Sequence, residues 1–116
     1  MTNIKIKLSR PEYEALRIFL LYAAMNLEVV DAVSLYEKEV LEIMNRKFET
    51  KTFKIQKYYT FSFSIAETIV FMKRVGQPIM IRFDSYEKAV YDSIYNNHIV
   101  PQIQRAIQMR MNFNSN

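Results

Sequence analysis

Hydrophobic and polar positions alternate from Asn3 to Leu8. Ile4, Ile6 and Leu8 fall on one side, Lys5 and Lys7 on the other. That period of two predicts a short half-buried strand or an extended arm. The period then lengthens. From Ser9 to Leu27, residues Tyr13, Leu16, Leu20, Ala23 and Leu27 make one stripe at steps of three and four. Ser9 and Glu12 have the spacing of a capping box, and Pro11 falls in the first turn, where a missing N–H costs nothing. From Ile18 to Met25 this helix is apolar on every side, so it is expected to be covered all round. Its unbroken apolar run is far shorter than the roughly 20 residues a bilayer requires. A signal peptide fits poorly, because two acids precede the run.

A second helix is predicted from Asp31 to Phe48. Val33, Tyr36, Val40, Ile43, Met44 and Phe48 make its apolar face, and Glu37, Lys38, Glu39, Glu42 and Arg46 its wet face. The short link between these helices implies an antiparallel hairpin. From Thr50 to Phe63 the alternation returns, with Phe53, Ile55, Tyr59, Phe61 and Phe63 in phase. Ser64 and Glu67 repeat the capping-box spacing and open a third helix to Val75, stopped by Gly76 and Pro78. Ile79, Ile81 and Phe83 form another extended segment. Asp84 and Glu87 then begin a last helix reaching Met111, which Pro101 should kink or break near His98 to Val100.

These elements predict a mainly α fold. It is a small four-helix bundle of two antiparallel hairpins, with short extended segments before helices one, three and four. The alternative is α+β, with those segments pairing into a small sheet. Residues 1–111 make a single helical domain and 112–116 a frayed tail. An internal echo has two readings, two related halves or ordinary amphipathic helix sequence. Leu8-Ser9-x-x-Glu12 matches Phe63-Ser64-x-x-Glu67, and Tyr36-Glu37-Lys38 matches Tyr86-Glu87-Lys88. The pattern suggests helical hairpins about a pseudo-twofold axis.

Composition narrows the chemistry. The 116 residues include no cysteine, so disulfides and thiolate metal sites are excluded, and a cytoplasmic location is expected. Abundant Tyr, Phe, Ile, Lys and Asn without Trp or Cys suggests a gene of low GC content, bacterial or from a mobile element. One glycine cannot build a phosphate-cradling loop. His98 is the sole histidine and has no acid at metal-site spacing. No nucleophile elbow is present. No catalytic residue, metal or cofactor is therefore assigned, and the protein is read as non-enzymatic. A helix-turn-helix is rejected because the link after Val75 is too long.

Charge points to one segment. Residues 46–57 hold five bases against one acid, while the rest of the chain holds eleven of each. Arg46, Lys47, Lys51, Lys54 and Lys57, with Tyr58 and Tyr59, form a basic-aromatic stretch suited to nucleic acid. The plainer reading is an edge strand protected by lysines, its rings in the core. The chain is half apolar, which favours an interaction or adaptor protein that meets a protein partner or a second copy of itself. Met72, Met109 and Met111 are candidate contact residues. The alternative is a nucleic-acid-binding accessory protein using residues 46–59. No membrane partner is expected.

Overall fold

The two alternating stretches of the chain find each other. The computed structural model describes residues 3–51, 55–76 and 83–114. In order these form β1 (Asn3–Ser9), α1 (Arg10–Asn26), α2 (Ala32–Glu49), β2 (Tyr58–Ser64), α3 (Ile65–Val75), α4 (Ser85–Ile94), a π-helical turn (Tyr95–Ile99) and α5 (Val100–Asn114). β1 and β2 pair antiparallel, with Ile6 opposite Phe61 at the centre and Asn3 opposite Ser64 at one end.

The expected four-helix bundle is thus corrected: the fold is α+β, built on a two-stranded antiparallel sheet. The reason is backbone accounting. Ile4, Ile6, Leu8, Tyr59, Phe61 and Phe63 are all buried, and a backbone that carries them inward must satisfy its own N–H and C=O groups. Pairing the two strands does both at once. The predicted extended segment from Ile79 to Phe83 lies largely outside the described residues. So does Phe53, and the strand begins only at Tyr58.

The capping signals hold. Ser9 and Ser64 are N-caps with nearly the same backbone, φ −67° and ψ 167° against φ −67° and ψ 162°. Each accepts from the backbone N–H of the glutamate three residues on, and that glutamate accepts from the cap's own N–H, at 2.9 Å for Glu12 and 2.8 Å for Glu67. Each strand therefore passes straight into a helix. Gly76 ends α3, but at φ −54° it is not left-handed. Its need for glycine is close approach, since a Cβ there would sit 2.7 Å from the Met72 carbonyl oxygen.

Pro101 does not break the last helix. The helix widens just before it into the π turn, where the Val100 N–H reaches back five residues to the Tyr95 carbonyl. The added residue loosens the turn that the proline ring must enter. Helix α5 then runs past Met111 to Asn114.

The core lies between the inner face of the ribbon and helices α1, α2 and α3, and continues to Tyr91 and Ile94 of α4 and Ile99 of the π turn. It includes the fully buried Phe19, Phe48, Phe63, Leu16, Leu20 and Leu41. An aromatic ladder fixes the ribbon to it. Tyr59 stacks on Tyr13 at 4.1 Å and Phe61 on Phe48 at 4.0 Å, with planes within 15°. Each such ring contributes about 1.5–3 kcal/mol by burial alone.

Two helix faces differ from the sequence expectation. Helix α1 is not covered all round: Ile18, Leu21 and Met25 are 51%, 42% and 71% exposed. On α2 the buried face is Ser34, Glu37, Val40, Leu41, Met44 and Phe48, so Val33, Tyr36 and Ile43 lie outside. Glu37, placed on the wet face by its charge, is instead buried at 3% exposure. Its carboxylate accepts from Arg74 at 2.5 Å and from Lys73 at 2.9 Å, both on α3. The Arg74 guanidinium holds this carboxyl below the usual carboxylate range, against the opposing push of burial, with Lys73 adding to the shift.

Candidate nucleic-acid interface

The ribbon has two faces with different chemistry. Its inner face is the apolar set that fills the core. Its outer face runs in cross-strand pairs, Asn3 with Ser64, Lys5 with Ser62, Lys7 with Thr60 and Ser9 with Tyr58. Neither strand contains an acid. The carboxylates nearest in sequence, Glu12 and Glu67, are held in the capping boxes. Strand geometry alone makes this face, because successive side chains point to opposite sides.

Tyr58 organises the charge on that face. It is 46% exposed. The Lys7 ammonium lies 4.5 Å from its ring centroid and the Lys57 ammonium 5.6 Å. The negative face of the ring attracts both cations, which gathers them beside one exposed aromatic. Sequence reasoning misses Lys5 and Lys7 as candidates, although their alternation with Ile4, Ile6 and Leu8 already points them outward. The missing signal is the pairing partner that sets them beside Tyr58, Thr60 and Ser62.

The residues expected from sequence divide. Arg46 is exposed on α2 and Lys57 is exposed before β2. Lys47 is ion-paired with Glu67 at 3.0 Å and lies over the Phe63 ring. The Lys51 ammonium donates to the Thr60 carbonyl and lies over the Phe61 ring. Lys54 falls outside the described residues. Tyr59 turns inward and is 3% exposed; its hydroxyl accepts from the Gln56 N–H at 3.2 Å. A base-stacking role for Tyr59 is thereby ruled out in this fold, because alternation places it on the core side. The segment 46–59 is therefore not one surface, and its cations serve different neighbours.

Each edge of the ribbon is bridged at one residue. Gln102 from α5 accepts from the Lys5 N–H at 2.8 Å and donates to the Lys5 carbonyl at 2.7 Å. One side chain thus does the bonding of a third strand. The same amide donates to the His98 carbonyl at 2.6 Å, which fixes it against the π turn. On the other edge, Lys51 occupies the Thr60 carbonyl. Such bridges hinder pairing with another chain's strand at those positions.

Among the described residues no group of three or more His, Asp or Glu could hold a metal ion. Among them, too, no helix is long and apolar enough to cross a membrane. Compared with known proteins, the chain matches no family model, no curated protein and no solved structure.

Proposed function

We propose that the protein is a nucleic-acid-binding accessory protein that presents the outer face of its β-ribbon to duplex DNA. The observation that carries this reading is an outer face built by two strands that contain no acid, with Lys5 and Lys7 exposed on it and Lys7 and Lys57 drawn to the exposed Tyr58 ring. The major groove of B-DNA admits a two-stranded ribbon, and hydroxyls and ammoniums are the groups that meet its acceptors. Single strands are a poorer fit. They are held by several exposed rings, whereas Tyr59, Phe61 and Phe63 all face the core.

The test is fluorescence anisotropy with a short labelled duplex across a series of salt concentrations. Binding should weaken steeply as salt rises, because lysines displace counterions from the phosphates. The double variant K5A/K7A should bind less tightly while its circular dichroism is unchanged. Salt-independent binding, or no loss in the double variant, would remove the ribbon face from the account.

A second reading rests on the exposed stripe of Ile18, Leu21 and Met25 on α1. An apolar stripe at helical spacing supports contact with a protein, either a partner or a second copy. It leaves the ribbon face free, so the two readings are compatible.

A further inference from the structure

The ribbon carries a local twofold axis, and the two strands it relates differ chemically. The pairing centres on Ile6 opposite Phe61. A twofold axis through that pair carries β1 onto β2 residue for residue, so that Lys5 falls on Thr60, Lys7 on Ser62 and Ser9 on Ser64. The match continues into the helices. The Ser9–Glu12 capping box falls on the Ser64–Glu67 box, with closely similar cap angles. The paired backbone and its caps are therefore related about the ribbon centre, while the outer side chains are not. Strand β1 presents two ammoniums, and β2 presents two hydroxyls in their place.

Duplex DNA has twofold axes of its own, perpendicular to its length. A ribbon with identical halves, seated on such an axis, meets the same base edges twice and selects a palindrome. This ribbon meets them with different chemistry from each strand. Lysine is a donor only and favours the O6 and N7 acceptors of guanine; serine and threonine hydroxyls both donate and accept and discriminate less.

We propose that this chain reads a non-palindromic duplex site in one fixed orientation, with Lys5 and Lys7, one on each side of the dyad, both selecting guanine on the same DNA strand. The inference rests on the ribbon face being the DNA-binding surface. Its specificity would be written into a single chain, without a second copy to complete the site.

The experiment is selection of bound sequences from a random duplex library by the full chain, followed by binding measurements on the enriched site. The expected result is one asymmetric motif with guanine preferred on one DNA strand, on both sides of the motif centre. The variant K5T/K7S gives β1 the outer residue types found at Thr60 and Ser62. It should lose the guanine preference on that strand and keep the contacts to the other strand unchanged. A second measurement needs no variant: 7-deazaguanine in the enriched site removes the N7 acceptor. It should weaken binding about tenfold at the preferred guanines and have little effect elsewhere. A palindromic motif, or a duplex bound with no enriched motif, would overturn the asymmetric reading while leaving DNA binding in place. Failure to retain any duplex at low salt would instead overturn the function on which it rests.

Discussion

The Tyr13 hydroxyl donates to the Phe48 carbonyl across 2.6 Å, and the two rings stack with centroids 5.5 Å apart. The bond joins the first turns of α1 to the last turn of α2, beneath the ribbon. Phe48 also accepts from the Lys51 N–H at 3.1 Å, so its carbonyl keeps a partner when the hydroxyl is removed. Tyr13→Phe preserves the aromatic ladder and deletes one buried hydrogen bond. The expected loss is about 1 kcal/mol, read as a lower urea midpoint with an unchanged slope. DNA affinity should be unaffected, because Tyr13 lies on the core side of the ribbon. A variant as stable as the parent would show that the bond contributes nothing net.

Glu37 gives the protein a pH dependence whose direction is fixed. Its folded carboxyl titrates below its ordinary value of 4.5, held down first by Arg74. A depressed carboxyl contributes stability that is present above its unfolded value and lost as pH falls through its folded value. Urea midpoints should therefore be flat around neutrality and fall below a pH of about 4.5. Glu37→Gln should lower stability by about 2 kcal/mol at neutral pH, because charged hydrogen bonds to Arg74 and Lys73 are lost. It should also flatten the acid-side fall. An acid slope identical to the parent's would place that dependence on other carboxyls.

Most helix starts and both strand cores are legible in the amino-acid order, because each has a local cause. The Ser9 and Ser64 caps are set by side chains three residues away. The inward positions of Ile4, Ile6 and Leu8 follow from a period of two. The rest is decided by contacts between distant residues. The pairing of Lys7 with Thr60 joins positions far apart in the chain, and no periodicity specifies it. Glu37 illustrates the same limit. Its charge argues for water, yet Arg74 and Lys73, on another helix, make its burial tolerable. The candidate site divides on the same line, since Tyr58 and Tyr59 are equivalent as composition and opposite as strand positions.

Gln102 substitutes for a strand at the outer edge of β1, and its removal should be felt there first. Gln102→Ala frees the N–H and C=O of Lys5. These groups can then bond water, so the loss of global stability should be only about 0.5–1.5 kcal/mol. The local effect should be larger. Amide hydrogen exchange at Lys5 should accelerate well beyond that at Ile6, which bonds within the ribbon. An unsealed edge also invites pairing with a second chain, so the variant should form more concentration-dependent oligomer in sedimentation experiments. Unchanged exchange at Lys5 would show that the amide bridge does not hold the strand.

The exposed stripe on α1 separates stability from association. Leu21 and Met25 are 42% and 71% exposed. Replacing both with serine should change folding stability by no more than about 0.5 kcal/mol per site. If the stripe is a contact surface, light scattering should show less oligomer for L21S/M25S at concentrations where the parent associates. A parent that stays monomeric at all accessible concentrations would exclude a second copy as the partner of this stripe.

Two lysines that are equivalent by charge should behave differently toward DNA. Lys7 stands on the outer face of the ribbon, drawn toward the exposed Tyr58 ring. Lys47 is occupied by Glu67 at 3.0 Å and lies over the Phe63 ring on the core side. A cation seated in the DNA interface adds to the counterions released and so to the slope of log K against log salt. Lys7→Ala should therefore lower that slope, whereas Lys47→Ala should leave it nearly unchanged and instead loosen the link between α2 and α3. The comparison discriminates between two surfaces on the same chain. If Lys47→Ala alone reduced the slope, DNA would lie along α2, and the ribbon face would lose its assigned role.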